Sequence, residues 1–154
     1  MINAQDIAKL RNETGAGVMD AKRALEEANG DYQKAKQVLS DNAQVIAKKK
    51  SERATNHGLV EAYVHGGRIG VLVEINCESD FVAKNVKFKE LAHSIAMQIA
   101  SMNPQDIEEL LGQEFILDSK MTVQDLVHAN ISQFGENMQI KRFVRFELGE
   151  EINS

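Results

Sequence analysis

The chain has 154 residues, of which 27% are charged and 43% are hydrophobic, and its formal net charge is −5. This composition is typical of a globular protein with one domain or two small ones. The acidic balance argues against a protein that binds nucleic acid through a basic surface, and a single cysteine excludes an internal disulfide framework.

The first part of the chain carries three successive runs of apolar residues at helical spacing. Asn3 can cap the first helix, the segment Thr14–Gly17 interrupts it, and Asp31 can cap the third helix. Alanine occupies many of the apolar positions, which suits closely packed short helices. We therefore predict a three-helix bundle over residues 1–44.

A basic segment follows the predicted bundle. Residues 45–56 include the run Lys48–Lys50, which is interpreted as a helix end or a linker. Such a run is usually a solvated surface, and weak attraction to an acidic partner is the alternative. We place a domain boundary here and predict a second domain over residues 57–154.

The second domain begins with two strand-like segments, 59–65 and 69–75, separated by the hairpin signal Gly66–Gly67. The strand-like segment 139–148 closes it, with Ile140, Val144 and Leu148 alternating against basic residues. Three further segments are predicted to be helical, at 86–102, at 104–111 and between Thr122 and Gly135. This order predicts an α+β domain, a small three-stranded antiparallel sheet covered by helices, whose uncovered edge invites another chain.

The junction between the second strand and the long helix contains an aromatic residue in an unusual place. Phe81 lies within Asn76–Asn85, where acids and small polar residues surround it. An aromatic side chain at such a corner either folds back into its own core or projects as a wedge for a partner. Both interpretations remain open from the local pattern.

Few residues indicate chemistry. Cys77 could be a nucleophile, but none of the four histidines stands at a recognisable catalytic spacing, and a lone cysteine at a strand end is usually packed. Zinc would need several ligands at short spacings, whereas only His57 and His65 could share one side of a strand. Glu78 and Asp80 have no evident acid–base partner and favour the start of the following helix.

Nucleotide-binding loops and membrane segments are also missing from the pattern. The sequence has no phosphate loop and no dinucleotide fingerprint, and its Gly15-x-Gly17 element follows a predicted helix instead of a strand. No secretory signal is recognisable, and no apolar run reaches the roughly 20 residues that span a bilayer. We predict a cytoplasmic binding protein without enzymatic activity, catalytic residues, cofactor or metal.

Three segments together resemble the translation elongation factor Ts family. They are Leu10–Leu25, Glu74–Asn85, and Gly135–Met138 leading into Arg142–Gly149. They occur in the family's order and cover nearly the whole chain. The resemblance is to a short form, without the second half of the core and the coiled-coil insertion of longer members. Ser79 stands where the family usually has threonine, and Val18 where it usually has methionine.

The resemblance implies a guanine-nucleotide exchange factor that binds GDP-bound elongation factor Tu. It also implies that the N-terminal bundle is a ubiquitin-associated-like module, which docks on the partner's nucleotide-binding domain. Partner-binding residues carried over by the motifs are Arg11, Val18 and Met19 in the module, Asp80, Phe81 and Val82 at the corner, and Phe134, Gly135 and Asn137 before the last strand.

The implied mechanism is insertion of Phe81 between helices of the partner, which disturbs its magnesium and phosphate site. The alternatives are an adaptor that binds elongation factor Tu or another GTPase without efficient exchange, and an enzyme that depends on Cys77. A short core also implies a homodimer, with the strand 139–148 as a candidate interface. The segment Pro104–Phe115 is shorter than in many relatives, and no direct nucleic-acid or membrane partner is expected.

Overall fold

The computed structural model describes residues 1–152 and divides the chain into two compact units. One unit contains Met1–Glu52 and Asp125–Asn137, and the other contains Arg53–Gln124 and the residues from Met138 onward. The elements are α1 (Ala4–Thr14), α2 (Val18–Glu27), α3 (Tyr32–Lys50), β1 (His57–His65), β2 (Ile69–Cys77), α4 (Asp80–Ala83), α5 (Val86–Met102), α6 (Ile107–Gly112), β3 (Glu114–Phe115), β4 (Asp118–Thr122), α7 (Val123–Phe134) and β5 (Met138–Glu147).

The predicted three-helix module is confirmed as α1 to α3. The Asn3 side-chain oxygen accepts a hydrogen bond from the Asp6 N–H at 2.8 Å, and Asp31 accepts one from the Lys34 N–H at 3.0 Å. Both residues therefore cap helices as expected. The buried core cluster of the module consists of leucine and alanine side chains, which are Leu10, Ala21, Ala24, Leu25, Ala28 and Ala35.

The third helix is longer than the sequence indicated. It continues through Lys50, so the first half of the predicted linker over residues 45–56 is helical. The three lysines of its last turn lie at the C-terminal end of the helix, where positive charges interact favourably with the helix dipole. Compactness alone does not test which segments fold independently, so the division into 1–44, 45–56 and 57–154 remains a prediction.

The second unit contains the predicted three-stranded antiparallel sheet, in the order β1-β2-β5. Gly66 and Gly67, with φ of 56° and 68°, form the β1–β2 turn, since glycine tolerates positive φ in hairpin turns. The helix α5 packs on one face of the sheet through its buried side chains, which include Phe88, Leu91, Ile95 and Ile99. This arrangement confirms the predicted α+β class.

The last strand carries a bulge that the alternating pattern did not reveal. Ile75 pairs with Ile140 but Glu74 pairs with Arg142, so Lys141 is an extra residue in β5. An extra residue exchanges the two faces of a strand. Ile140 is therefore buried under the helical layer, whereas Val144 is exposed on the opposite face. The regular alternation expected for this strand, with Ile140, Val144 and Leu148 set against basic residues, is therefore interrupted at Lys141.

A short two-stranded sheet, β3–β4, was not predicted. It lies between α6 and α7, and the fully buried side chain of Gln98 on α5 holds it in place. The Gln98 amide nitrogen donates to the Glu114 carbonyl at 3.0 Å, and its oxygen accepts from the Ile116 N–H at 2.9 Å. Buried polar side chains require such partners, and here the partners are the backbone of the hairpin.

Candidate functional site

The corner between β2 and α5 is built by short-range hydrogen bonds. The Cys77 thiol is fully buried and donates to the Ser79 carbonyl at 3.2 Å. The Ser79 hydroxyl accepts from the Val82 N–H at 3.3 Å and thereby caps α4. Cys77 is therefore packed at the strand end, as expected for a lone cysteine, and its sulfur is shielded from solvent.

Phe81 projects away from the core at this corner. Its side chain is 83% exposed, whereas its neighbour Val82 is 4% exposed and Ala83 is also buried. Successive residues of a helix point about 100° apart, so burial of Val82 directs Phe81 outward. Of the two interpretations left open by the sequence, the folded-back one is wrong for this structure. Val82 supports the corner from inside, and its predicted contact with a partner stays a prediction.

Asp80 is held in an ion pair beside Phe81. Its carboxylate oxygen Oδ2 lies 2.8 Å from the Lys84 ammonium, one helical turn further along the chain. The Lys84 ammonium lowers the pKa of Asp80, with a smaller contribution from His57, and Asp80 in turn raises the pKa of Lys84. Glu78, the second acid of the corner, lies 3.7 Å from Arg53. Both acids therefore face cations of their own unit.

In the N-terminal module, the predicted contact residues are exposed. Arg11 lies on the surface of α1, and Val18 and Met19 form the first turn of α2 with 50% and 57% exposure. The turn before them lies against Gln133 of α7, because a Cβ atom on Gly15 would meet that side chain at 2.9 Å. Two apolar side chains are thus presented together at one helix start.

The residues predicted near the last strand belong to the same unit as the module. Phe134 is half-buried, and Gly135 is exposed at the end of α7. Asn137 is largely buried, and its side-chain nitrogen donates to the Ser51 carbonyl at 3.4 Å. The module and the 134–137 segment thus share one compact unit, whereas Asp80, Phe81 and Val82 form a cluster in the other unit.

The structure also shows an apolar surface that sequence reasoning identified only in part. On the face of the sheet opposite α5, cross-strand neighbours form three rows, which are Val60–Glu74–Arg142, Ala62–Leu72–Val144 and Val64–Gly70–Phe146. We call these residues the outer sheet face. Phe146 is the most exposed hydrophobic residue of this face at 75%. The Arg142 Nε lies 2.9 Å from a Glu74 carboxylate oxygen at one end of the face.

Residues 1–152 contain neither a cluster of metal ligands nor a membrane-spanning helix. No group of three or more histidine, cysteine or acidic side chains in this part of the chain could hold a metal ion. His65 instead lies 2.9 Å from the Tyr63 hydroxyl, and His93 lies 3.6 Å from Glu61. No helix within residues 1–152 is both long enough and apolar enough to cross a bilayer.

Comparison with known proteins gives a consistent result. Residues 78–154 match the family model described as Elongation factor TS. The chain is 42% identical to elongation factor Ts of Thermoanaerobacter sp. (strain X514), with 100% of this chain and 98% of the relative covered. It is 43% identical to that of Carboxydothermus hydrogenoformans, with 99% and 91% covered. Similarity to the chloroplastic elongation factor Ts of Rhodomonas salina is 40%, with 98% and 90% covered.

The first of these alignments extends over 200 positions, whereas this chain has 154 residues. The bacterial relative therefore contains residues that have no counterpart here. Because nearly the full length of each chain is covered, the similarity includes both compact units and the corner between β2 and α5.

Proposed function

The chain belongs to the elongation factor Ts family, and on this basis we propose that it is a guanine-nucleotide exchange factor for elongation factor Tu. It binds the GDP-bound partner in the cytoplasm and promotes GDP release during translation elongation. The observation that carries this proposal is the exposed phenyl ring of Phe81 on a corner whose other apolar residues are buried. An aromatic side chain presented in this way has the properties of an interface anchor.

The proposed mechanism uses Phe81 as a wedge. In the partner, GDP and Mg²⁺ are held by backbone N–H groups, a lysine and hydroxyl ligands of a phosphate loop. Insertion of the ring between helices that support this loop moves them, so the metal and phosphate contacts weaken. Binding of the exchange factor and binding of GDP then oppose each other, and the coupling is reciprocal. No covalent step is needed, so the chain needs no catalytic residue or cofactor.

A second contact comes from the N-terminal module. The exposed side chains of Val18 and Met19, together with the exposed Arg11 of α1, can dock on the partner's nucleotide-binding domain. Phe134 and Gly135 supply a further contact from the same unit, and the buried Asn137 supports it through Ser51. Because the module and the corner belong to one chain, docking of the module raises the effective concentration of the corner at the partner surface.

The alternative function is an adaptor that binds elongation factor Tu without efficient exchange. A single experiment separates the two: stopped-flow measurement of fluorescent GDP analogue release from elongation factor Tu at increasing concentrations of the chain. We expect saturable acceleration over spontaneous release. Binding at saturating concentration without acceleration would establish the adaptor, and absence of binding by folded protein would contradict both functions.

We further propose that the chain forms a homodimer through its outer sheet face. Single exposed apolar residues are common on protein surfaces, but this face presents Val60, Val64, Leu72, Val144 and Phe146 side by side. The pairing of Glu74 with Arg142 leaves little net charge at its end. A twofold axis would place the same apolar rows against each other. We propose no direct contact with nucleic acid, in keeping with the acidic balance of the sequence.

The dimer predicts a clear effect of one substitution. Phe146→Glu places two carboxylates in a twofold interface, and we expect the dimer dissociation constant to rise at least about 100-fold. Sedimentation velocity over a micromolar concentration series measures it. Leu117→Glu is the matched control, because Leu117 is also a largely exposed apolar side chain but lies in the β3–β4 connection. A monomeric wild-type chain, or equal effects of both substitutions, would contradict the proposed interface.

A further inference from the structure

Asp80 and Lys84 form a close ion pair at the corner. The two charged atoms are 2.8 Å apart, although both side chains are more than half exposed. Exposed pairs of this kind contribute little to folding stability because water already solvates both charges. The 2.8 Å geometry of the pair therefore bears more on how the corner binds than on how it folds.

The position of the pair relative to Phe81 gives it a consequence. Asp80 directly precedes the exposed ring in the first turn of α4, and its side chain is more than half exposed, so a partner surface that takes up Phe81 comes close to the Asp80 carboxylate. An unpaired carboxylate loses its water at such an interface and is strongly disfavoured. A carboxylate that already has an ammonium at hydrogen-bond distance enters as part of a neutral pair, with its orientation established beforehand.

We propose that Lys84 is a positioning residue for nucleotide exchange, acting through Asp80. This inference rests on the proposed exchange function and assigns a role to a residue that the motif-derived contact set does not include. Lys84 orients the Asp80 carboxylate in the free chain and remains with it when Phe81 enters the partner. Lys84 need not touch the partner itself.

Other basic side chains near the corner do not replace Lys84. His57 also faces Asp80 and contributes to lowering its pKa, but its effect is smaller than those of the hydrogen bond and charge of Lys84. Arg53 lies beside Glu78, 3.7 Å from its carboxylate. When Lys84 is removed, His57 remains as the basic side chain that acts on Asp80. The pKa of Asp80 should consequently rise toward its ordinary value.

A double-mutant cycle in the full-length chain tests the inference. The variants are Lys84→Gln, Lys84→Arg, Asp80→Asn and the combination of Lys84→Gln with Asp80→Asn, with Lys87→Gln as a control at a nearby exposed lysine. Each is assayed for fluorescent GDP release from elongation factor Tu and for binding. Carboxyl-carbon NMR titration of the free chain measures the pKa of Asp80 independently of the partner.

We expect Lys84→Gln to reduce exchange about five-fold, Lys84→Arg to restore most of it, and Lys87→Gln to have no effect. In the Asp80→Asn background, Lys84→Gln should have no additional effect, because the carboxylate on which Lys84 acts is gone. An undiminished five-fold effect in that background would show that Lys84 contacts the partner directly and would overturn the inference, as would wild-type exchange by Lys84→Gln.

Failure of the proposed function has a different signature. In that case the wild-type chain does not accelerate GDP release, whereas the pKa of Asp80 still rises in Lys84→Gln. If the wild-type chain accelerates GDP release but the pKa of Asp80 is the same in Lys84→Gln as in wild type, the ion pair is absent in solution and the inference is wrong. The two failures are therefore distinguishable from one set of samples.

Discussion

Replacement of Phe81 by alanine is expected to slow the GDP release that this chain stimulates in elongation factor Tu by roughly 30- to 900-fold, corresponding to about 2–4 kcal/mol for loss of an aromatic anchor. The physical reason is that the ring is the largest exposed apolar group of the corner and has no packing role in the free chain. Its removal should therefore leave the free energy of unfolding within about 0.5 kcal/mol of wild type.

Stopped-flow release of a fluorescent GDP analogue, with urea unfolding of each variant, measures both quantities. The N-terminal module should still bind elongation factor Tu, so the variant should compete with the wild-type chain at high concentration. Leu117→Ala removes a similarly exposed apolar side chain from another part of the unit and serves as the control. Equal exchange by Phe81→Ala and wild type would refute the wedge mechanism while leaving family membership untouched.

Substitution of Gly58 by alanine is expected to have the largest effect on folding. Gly58 lies in β1 with φ of 153°, a conformation that residues with side chains rarely adopt. A Cβ atom built there would lie 2.2 Å from the Ile75 carbonyl oxygen and 2.7 Å from the Asn76 Cα, both in the backbone of β2. Neither atom can move without breaking the pairing of the two strands at the corner. We expect a loss of about 3 kcal/mol or more.

The neighbouring strand provides the matched comparison for this prediction. Gly70 lies in β2 of the same hairpin, and a Cβ atom there meets no other atom within 4 Å. Gly70→Ala should change the unfolding free energy by less than about 1 kcal/mol, in either direction. Urea denaturation followed by circular dichroism measures both variants. A tolerant Gly58→Ala, equal in stability to Gly70→Ala, would show that the strand end can rearrange.

Gly58→Ala also tests how the corner depends on the sheet. Gly58 pairs with Asn76, one residue before the end of β2, and Cys77 begins the hydrogen bonds that orient α4. Displacement of this strand end should move Phe81 as well. We therefore expect the exchange activity of any folded fraction of Gly58→Ala to be reduced, whereas that of Gly70→Ala should remain near wild type.

Local sequence signals were sufficient for much of the architecture. Asn3 and Asp31 cap helices because their side chains reach backbone N–H groups three residues away, and Gly66–Gly67 turns a hairpin because both φ values are positive. The long helix α5 follows its apolar spacing from Val86 to Met102. In each case the interacting groups are close in the chain, so their pattern is readable without knowledge of the fold. Motif order likewise indicated the family, which the comparisons confirmed.

Contacts between distant segments decided the remainder. The bulge at Lys141 arises from pairing with β2, and the unpredicted β3–β4 hairpin depends on Gln98, a residue of α5. The outward direction of Phe81 depends on burial of Val82 against the core, and the position of Asn137 depends on Ser51. A periodic pattern shows which residues are apolar but not which partner will cover them. The sequence therefore specified the elements and the family, whereas packing between remote segments determined which faces are buried and which residues a partner can reach.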